Sequence, residues 1–250
     1  MTPDMPADNT PTGRLSILGM GPGDPELMTV KAARLLRESP VIAWFCRHDR
    51  PGHARQIAGD QLPATATTLR FAYPFTTEIA VSDPAYLVRM AEFYDDCARQ
   101  VADHLLAGTD VALLCEGDPF LFGSAMYVFD RLHERFECTI VPGITAMSGC
   151  WSAAQRPMVH GDDVLCVIPG TLDEAALTQW LEHANAAVIM KLGRNLEKVR
   201  RALRATGREA RAIYVERATQ PQQRSMKLAD MTGPAPYFSI ILVPGREGAR

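Results

Sequence analysis

Short apolar runs alternate with amphipathic stretches along most of the chain. The runs predict strands at residues 15–18, 41–45, 110–115, 138–141, 164–168, 186–190, 211–216 and 237–243. Apolar positions at helical spacing predict helices at residues 30–36, 83–106, 124–135, 145–155, 173–182 and 196–205. Strands that alternate with helices favour an α/β fold. The last two strands have no clear helix between them, so we expect antiparallel pairing at that end.

The predicted elements divide into two halves of similar size. We expect an N-terminal α/β domain over residues 14–137 and a C-terminal α/β domain over residues 138–250, each with a mixed sheet. Residues 1–13 are rich in Pro, Thr and Asp and lack the basic start and apolar stretch of a signal peptide, so they predict a disordered tail. Residues 46–82 contain several Pro, Gly and Thr and predict a long irregular loop.

Composition excludes several classes of partner. The formal net charge of the 250 residues is -3, so no strong basic field attracts nucleic acid or a membrane surface. An apolar run of about 18 residues, as a membrane span needs, is absent from the sequence. The six cysteines form no C-x-x-C pair and the six histidines show no metal-ligand spacing, so we expect reduced thiols, a cytoplasmic location and no bound metal.

Four glycine-containing segments follow apolar runs in a fixed order. They read GMGPGD at 19–24, EGDPF at 116–120, VPGITA at 141–146 and VIMKLG at 188–193. Ligands of open α/β sheets bind at the carboxyl ends of the strands. Four such strand ends with special turns therefore predict one shared binding cleft.

Each turn alone also has a purely structural interpretation. GMGPGD departs from the dinucleotide fingerprint because Asp24 stands where the third glycine belongs, which argues against a nicotinamide enzyme. Asp118 could accept hydrogen bonds from a ribose or from backbone amides. Thr145 is a plausible helix N-cap, and Met190, at a strand end, is at least as typical of a core position.

Taken together, the four segments resemble the tetrapyrrole methylases over about residues 14–245. These enzymes use S-adenosylmethionine (SAM) to methylate corrinoid and sirohaem precursors. Further segments are similar to the branch that methylates C20 of precorrin-2, namely CEGDPFLFGSAMY at 115–127, DDVL at 162–165, PGTL at 169–172, YVERAT at 214–219 and YFSI at 237–240. The sirohaem branch usually has Gly and Arg where this chain has Glu116 and Ser124.

The resemblance implies a fold, a reaction and a set of binding residues. It implies two α/β domains with SAM in the cleft between them, a homodimer, S-adenosylhomocysteine as the cofactor product, and methylation of precorrin-2 to precorrin-3A in cobalamin biosynthesis. The cobalt-containing counterpart of precorrin-2 remains an alternative acceptor. The residues that it assigns to the cofactor are Pro22, Glu116, Gly117, Asp118, Leu121, Thr145, Ala146, Met190 and Ala218.

Methyl transfer from a sulfonium to an electron-rich carbon depends on positioning and needs no nucleophilic side chain. A base is needed only to accept a proton afterwards. Asp24, Glu116 and Tyr127 are candidates by position, although capping and packing explain them equally well. Arg47, Arg50 and Arg55 could bind the carboxylates of a tetrapyrrole, or form an ordinary solvated loop.

Two further alternatives follow from the same residues. A different SAM-dependent methylase of the same fold, such as a diphthine synthase or a ribosomal RNA ribose methyltransferase, would share the first turn. EGDPF and YFSI argue against these enzymes. The sequence does not exclude a regulator that binds SAM or a tetrapyrrole without turnover, because catalysis here depends on geometry and not on a diagnostic side chain.

Overall fold

The computed structural model describes residues 12–75 and 84–246, so residues 1–11 of the predicted tail lie outside the described part. The chain divides into two compact units, one up to Thr145 and one from Ala146 onward. Each unit contains one five-stranded sheet. In the part of the chain that the structure describes, no helix combines the length and apolar character needed to cross a membrane.

The sheet of the first unit is entirely parallel. Its strands have the order β3-β2-β4-β1-β5 and comprise β1 (Leu15–Gly19), β2 (Val41–Cys46), β3 (Thr67–Ala72), β4 (Val111–Cys115) and β5 (Cys138–Val141). The prediction of a mixed sheet is therefore wrong for this unit. A helix separates each strand from the next, and such crossovers return the chain in the same direction.

Helices cover both faces of this sheet. They are α1 (Val30–Glu38), α2 (His53–Ala58), α3 (Pro84–Leu106) and α4 (Ala125–Leu132). Thr29 caps α1 by accepting a hydrogen bond from the backbone N–H of Ala32 at 3.2 Å. Every residue of β1 and β4 is buried, as expected for central strands packed on both faces.

The predicted irregular stretch 46–82 contains two regular elements, so that prediction is wrong for α2 and β3. Helix α2 has only six residues, too few for a helical period to stand out in the sequence. Strand β3 lies at the edge of the sheet, and its first two residues are exposed. It therefore lacks the apolar run that marks the inner strands.

The second unit has a mixed sheet, as predicted. Its strands have the order β6-β7-β10-β8-β9 and comprise β6 (Leu165–Pro169), β7 (Ala186–Met190), β8 (Ile213–Glu216), β9 (Arg224–Lys227) and β10 (Ser239–Val243). Only β6 and β7 pair in parallel, and β10 pairs antiparallel with both β7 and β8. The expected antiparallel end is thus confirmed. Strand β9, a mostly exposed edge strand, was not predicted.

The helices of the second unit are α5 (Ala146–Ala153), α6 (Glu174–His183) and α7 (Leu196–Ala205). The boundary between the units falls after Thr145, whereas the sequence predicted it after Glu137. The reason is that β5 pairs with β1, which places residues 138–141 in the first sheet. The chain leaves the first unit only after that strand is complete.

Candidate cofactor site

Three of the predicted turns follow adjacent strands of the first sheet. Strands β4, β1 and β5 are neighbours and parallel, so their carboxyl ends share one edge. The turns after β1 and β4 are joined by two backbone hydrogen bonds, from Gly117 N–H to the carbonyl of Gly21 at 2.9 Å and from Gly21 N–H to the carbonyl of Gly117 at 3.4 Å. Pro22 and Asp24 continue from this pair and Leu121 lies beyond it. The structure thus brings the predicted residues of this edge together.

Asp118 connects the turn after β4 to the turn after β5. Its Oδ1 accepts a hydrogen bond from Phe120 N–H at 2.9 Å, and its Oδ2 accepts one from Gly143 N–H at 3.1 Å. Of the two roles that the sequence left open for this carboxylate, the structure shows the one toward backbone amides. Thr145 follows Gly143 within the same turn.

Glycine is required where these turns meet. A Cβ added to Gly143 would overlap the carbonyl oxygen of Gly117, and one added to Gly19 would lie 2.5 Å from the backbone nitrogen of Gly143. Gly117 itself has φ of +63°, which other residues adopt only with strain. The three turns therefore pack backbone against backbone. A larger residue at position 143 would prevent this packing.

Strained backbone is concentrated beside the predicted cofactor residues. Of the five non-glycine residues with positive φ among those described, four adjoin such residues. Phe122 follows Leu121, Lys191 follows Met190, and Arg217 and Thr219 flank Ala218. Strain of this kind persists only where the surrounding structure fixes it, and it clusters at functional sites.

The second unit brings together its own predicted residues. Ala146, Met190 and Ala218 belong to one apolar cluster, together with Cys150, Val188, Val215 and Leu242. Strands β7 and β8 run in the same direction on either side of β10, so their carboxyl ends lie on one edge of the sheet. Met190 is the last residue of β7, and Ala218 follows the end of β8 by two residues. Their side chains offer an apolar surface of the kind that an adenine ring prefers.

Similarity to known proteins identifies the family of this chain. Residues 14–231 match the family model of the Tetrapyrrole (Corrin/Porphyrin) Methylases. The chain belongs to that family. It is 50% identical over 234 residues to the precorrin-2 C(20)-methyltransferase of Sinorhizobium sp, covering 93% of this chain and 96% of the relative.

Two further relatives of this methylase are informative. The cobalt-precorrin-2 C(20)-methyltransferase of Salmonella typhimurium is 27% identical over 235 residues, which are 92% of this chain and 96% of the relative. The uroporphyrin-III C-methyl transferase of Thermus thermophilus, solved in complex with S-adenyl homocysteine, has a TM-score of 0.64 and 24% identity. That match covers 92% of this chain and 97% of the other, and it shows a shared fold.

The three candidate bases of the methylase have different surroundings. Asp24 accepts a hydrogen bond from Glu26 N–H at 2.9 Å and caps a short 3-10 helix. Tyr127 is 46% exposed, and its ring stacks on that of Tyr94 with centroids 4.5 Å apart. Neither observation assigns a proton-transfer role.

Glu116 is the candidate whose acidity is perturbed. The residue keeps an exposed surface, yet desolvation of its carboxyl group is the largest influence on it. Backbone hydrogen bonds from His53 and Ala54, at the start of α2, act in the opposite direction. Because desolvation is the stronger effect, the pKa of Glu116 rises from 4.5 to about 7.

The arginines predicted to bind substrate lie on the segment after β2 and on α2. Arg47 and Arg50 flank Asp49, with N–O distances of 3.4 and 3.6 Å, and Arg55 donates to the carbonyl of Gly59 at 3.2 Å. Arg50 and Arg55 line a pocket of about 590 Å³, whereas Arg47 lies outside its lining. The structure therefore brings two of the three arginines to one pocket.

Several residues near the site were not predicted. The hydroxyls of Tyr73 and Tyr94 lie 2.6 and 3.2 Å from Ser124 Oγ, at the start of α4. The indole of Trp44, which lines the same pocket as Arg50, is buried, and its Nε1 has no hydrogen-bond partner among the described residues. Long-range contacts of this kind leave no periodic signal in a sequence. Within residues 12–75 and 84–246, no group of three or more His, Cys, Asp or Glu side chains could hold a metal ion.

Proposed function

We propose that this methylase transfers the methyl group of SAM to C20 of precorrin-2, giving precorrin-3A and S-adenosylhomocysteine. The observation that carries the proposal is the 50% identity to a precorrin-2 C(20)-methyltransferase over nearly the full length of both chains. The shared length includes every residue segment from which the candidate site is built.

The residues present fit SAM. The turns after β1, β4 and β5 pack with little side-chain bulk, and a ligand can approach such backbone closely. In the proposal, the residues that bind SAM are Pro22, Glu116, Gly117, Asp118, Leu121, Thr145, Ala146, Met190 and Ala218. Bound SAM supplies an electrophilic methyl group, and the chain contributes position and orientation.

The proton that leaves C20 after methylation needs an acceptor. Among the three candidates, Glu116 has a pKa of about 7, which suits proton acceptance near neutral pH. We assign Asp24 to capping, since its carboxylate accepts a backbone hydrogen bond. Tyr127, partly exposed on α4, then contributes ring surface.

The acceptor carries several carboxylates, and the pocket beside β2 offers groups that bind them. Arg50 and Arg55 line it, and the guanidinium of Arg70 already fixes its rim by donating to the carbonyls of Arg47 and His48 at 3.0 and 2.6 Å. A rim held in this way keeps the neighbouring arginines near one another. In this proposal Arg47, Arg50 and Arg55 bind acceptor carboxylates.

The metal-free acceptor is favoured over its cobalt counterpart. The chain is 50% identical to the relative named for precorrin-2 and 27% identical to the relative named for cobalt-precorrin-2, over similar lengths. The proposal further includes a cytoplasmic location and a homodimer, and sedimentation of the purified protein tests the homodimer.

The deciding experiment is incubation of precorrin-2 with the protein and SAM carrying ¹³C in its methyl group. One added methyl with the resonance of a C20 substituent establishes the reaction and its position. A methyl on another carbon overturns the assignment to C20. If SAM binds and neither precorrin-2 nor its cobalt form gains a methyl, the proposed reaction fails, in favour of a different acceptor or of a regulator without turnover.

A further inference from the structure

A buried carboxylate ends strand β8 close to the predicted cofactor residue Ala218. Glu216 is the last residue of that strand and is 4% exposed. A carboxylate removed from water is unfavourable unless charged and hydrogen-bonding partners surround it. The partners of Glu216 therefore indicate what its burial achieves.

Glu216 is held by the strand on which it lies and by the neighbouring strand. The hydroxyl of Tyr214 donates to Glu216 Oε2 at 2.7 Å, and Arg224 Nη1 donates to Oε1 at 3.2 Å. Arg224 is the register partner of Glu216 on β9. Arg217 adds a more distant charge, 3.8 Å from Oε1. The carboxylate thus joins the two ends of the turn formed by residues 217–223.

That turn has an unusual backbone. Arg217 and Thr219 have φ of +49° and +65°, in a region that residues with a Cβ seldom occupy. Arg217 N–H donates to the carbonyl of Phe238 at 2.9 Å, and Thr219 N–H donates to Gln223 Oε1 at 2.7 Å. Ala218 lies between the two left-handed residues, so its position depends on both.

We propose that Glu216 is a positioning residue for the adenine end of SAM. Its carboxylate, clamped by Tyr214 and Arg224, holds the two ends of the turn at the spacing that its left-handed residues require. Ala218 is thereby kept in the apolar cluster with Met190. The inference rests on the proposed function, because it takes Ala218 to contact the cofactor.

The test measures S-adenosylhomocysteine binding by calorimetry and steady-state kinetics with SAM and precorrin-2, on the full chain. Glu216→Gln removes the negative charge that pairs with Arg224. Arg224→Gln removes the same ion pair by changing the exposed partner, so the buried side chain of Glu216 stays in place. We expect each variant to bind S-adenosylhomocysteine about tenfold more weakly and to raise the KM for SAM equally. The KM for precorrin-2 and kcat at saturation remain within twofold of the wild type.

Two variants serve as controls. Arg224→Lys retains the charge and should restore most of the affinity. Glu174→Gln, which removes an exposed ion pair with Arg201 elsewhere in the second unit, should leave both KM values unchanged. If Glu216→Gln does not fold, Arg224→Gln and Tyr214→Phe provide the same comparison.

The outcomes separate this inference from the proposed function. If the folded variants bind S-adenosylhomocysteine with wild-type affinity, the role of Glu216 is overturned. The proposed function is unaffected by that result as long as the wild-type protein turns over SAM and precorrin-2. A parallel rise in both KM values indicates general loosening of the fold and also overturns it. Failure of the wild-type protein to bind S-adenosylhomocysteine overturns the proposed function, and this inference with it.

Discussion

Asp118 Oδ2 accepts a hydrogen bond from Gly143 N–H at 3.1 Å, across the carboxyl end of β1. The two residues belong to the turns after β4 and β5, which flank β1 in the sheet. Gly19 ends β1 between them, and any Cβ there would lie 2.5 Å from the nitrogen of Gly143. One carboxylate therefore links the turns after β4 and β5 across the end of β1.

Replacing Asp118 with Ala should loosen this edge of the sheet. The change removes the acceptors of Phe120 N–H, in an exposed hydrogen bond, and of Gly143 N–H, in a part-buried one. The exposed bond is replaced by water, and one hydrogen bond to a charged group contributes about 2 kcal/mol. We expect a loss of about that size in the free energy of unfolding, measured in urea, and a raised KM for SAM. Asp118→Asn keeps one side-chain oxygen and should lose less. Equal losses in the two variants would contradict this account.

Gly143→Ala should weaken cofactor binding, and the weakening should exceed that caused by a destabilising substitution elsewhere in the fold. Its Cβ would overlap the carbonyl of Gly117, so the turns must separate, at a cost of about 1–3 kcal/mol. Gly207→Ala is a matched control, because its φ of +67° strains an alanine while no atom of the part of the chain that the structure describes lies within 4 Å of the added Cβ. Calorimetry should show weaker binding of S-adenosylhomocysteine in the Gly143 variant alone.

The stability of the protein should depend on the ionisation of Glu116. Its pKa is about 7 in the folded state and 4.5 when unperturbed, so between these values the folded state binds the proton more tightly. Stability from this group therefore falls as the pH rises from about 4.5, and the loss is complete above about 7. Glu116→Gln should flatten the profile of Tm against pH across that window.

The comparison for this prediction is Glu92→Gln, which changes an exposed glutamate on α3. That variant should retain the wild-type slope. A wild-type Tm that does not decline between pH 5 and 7 relative to Glu116→Gln would show that the carboxyl of Glu116 remains hydrated. Glu116→Gln also tests proton acceptance, since its kcat at pH 8 should be lower than that of the wild type if Glu116 accepts the proton from C20.

Replacing Arg47, Arg50 and Arg55 together with Ala should raise the KM for precorrin-2 by about tenfold or more, because the guanidinium partners of its carboxylates are lost. The KM for SAM should not change. Arg50 and Arg55 line the pocket and Arg47 does not, so Arg50→Ala with Arg55→Ala should reproduce most of the effect. An unchanged KM for precorrin-2 in the triple variant would remove these residues from the substrate site.

The inner strands were predictable because burial on both faces requires a continuous apolar run. Strand β4 reads VALLC and all its residues are buried. The edge strands β3 and β9 carry polar, exposed residues, so nothing in their composition separates them from loops. The parallel first sheet was missed for a related reason, since pairing direction follows from crossovers, and α2 was too short to be recognised.

The candidate site likewise contains some features that the sequence revealed and others that it did not. The turns containing Gly117, Gly143 and Ala218 were identified from the sequence, because glycine patterns and the family resemblance mark them locally. The partners of Asp118, the pKa of Glu116 and the clamp around Glu216 were not, because each depends on atoms from another part of the chain. The predicted strand over residues 211–216 contained Tyr214 and Glu216, but nothing in the sequence indicated their contact.

The sequence by itself determined the α/β class, the positions of the buried strands along the chain and the residue types at the strand ends, since these depend on local patterns of apolarity and glycine. The tertiary structure decided that β5 completes the first sheet, that Asp118 spans the end of β1, and that Arg224 meets Glu216. These relationships require segments far apart in the chain to approach one another. Their free energy comes from burial and hydrogen bonding that exist only once both sheets have formed.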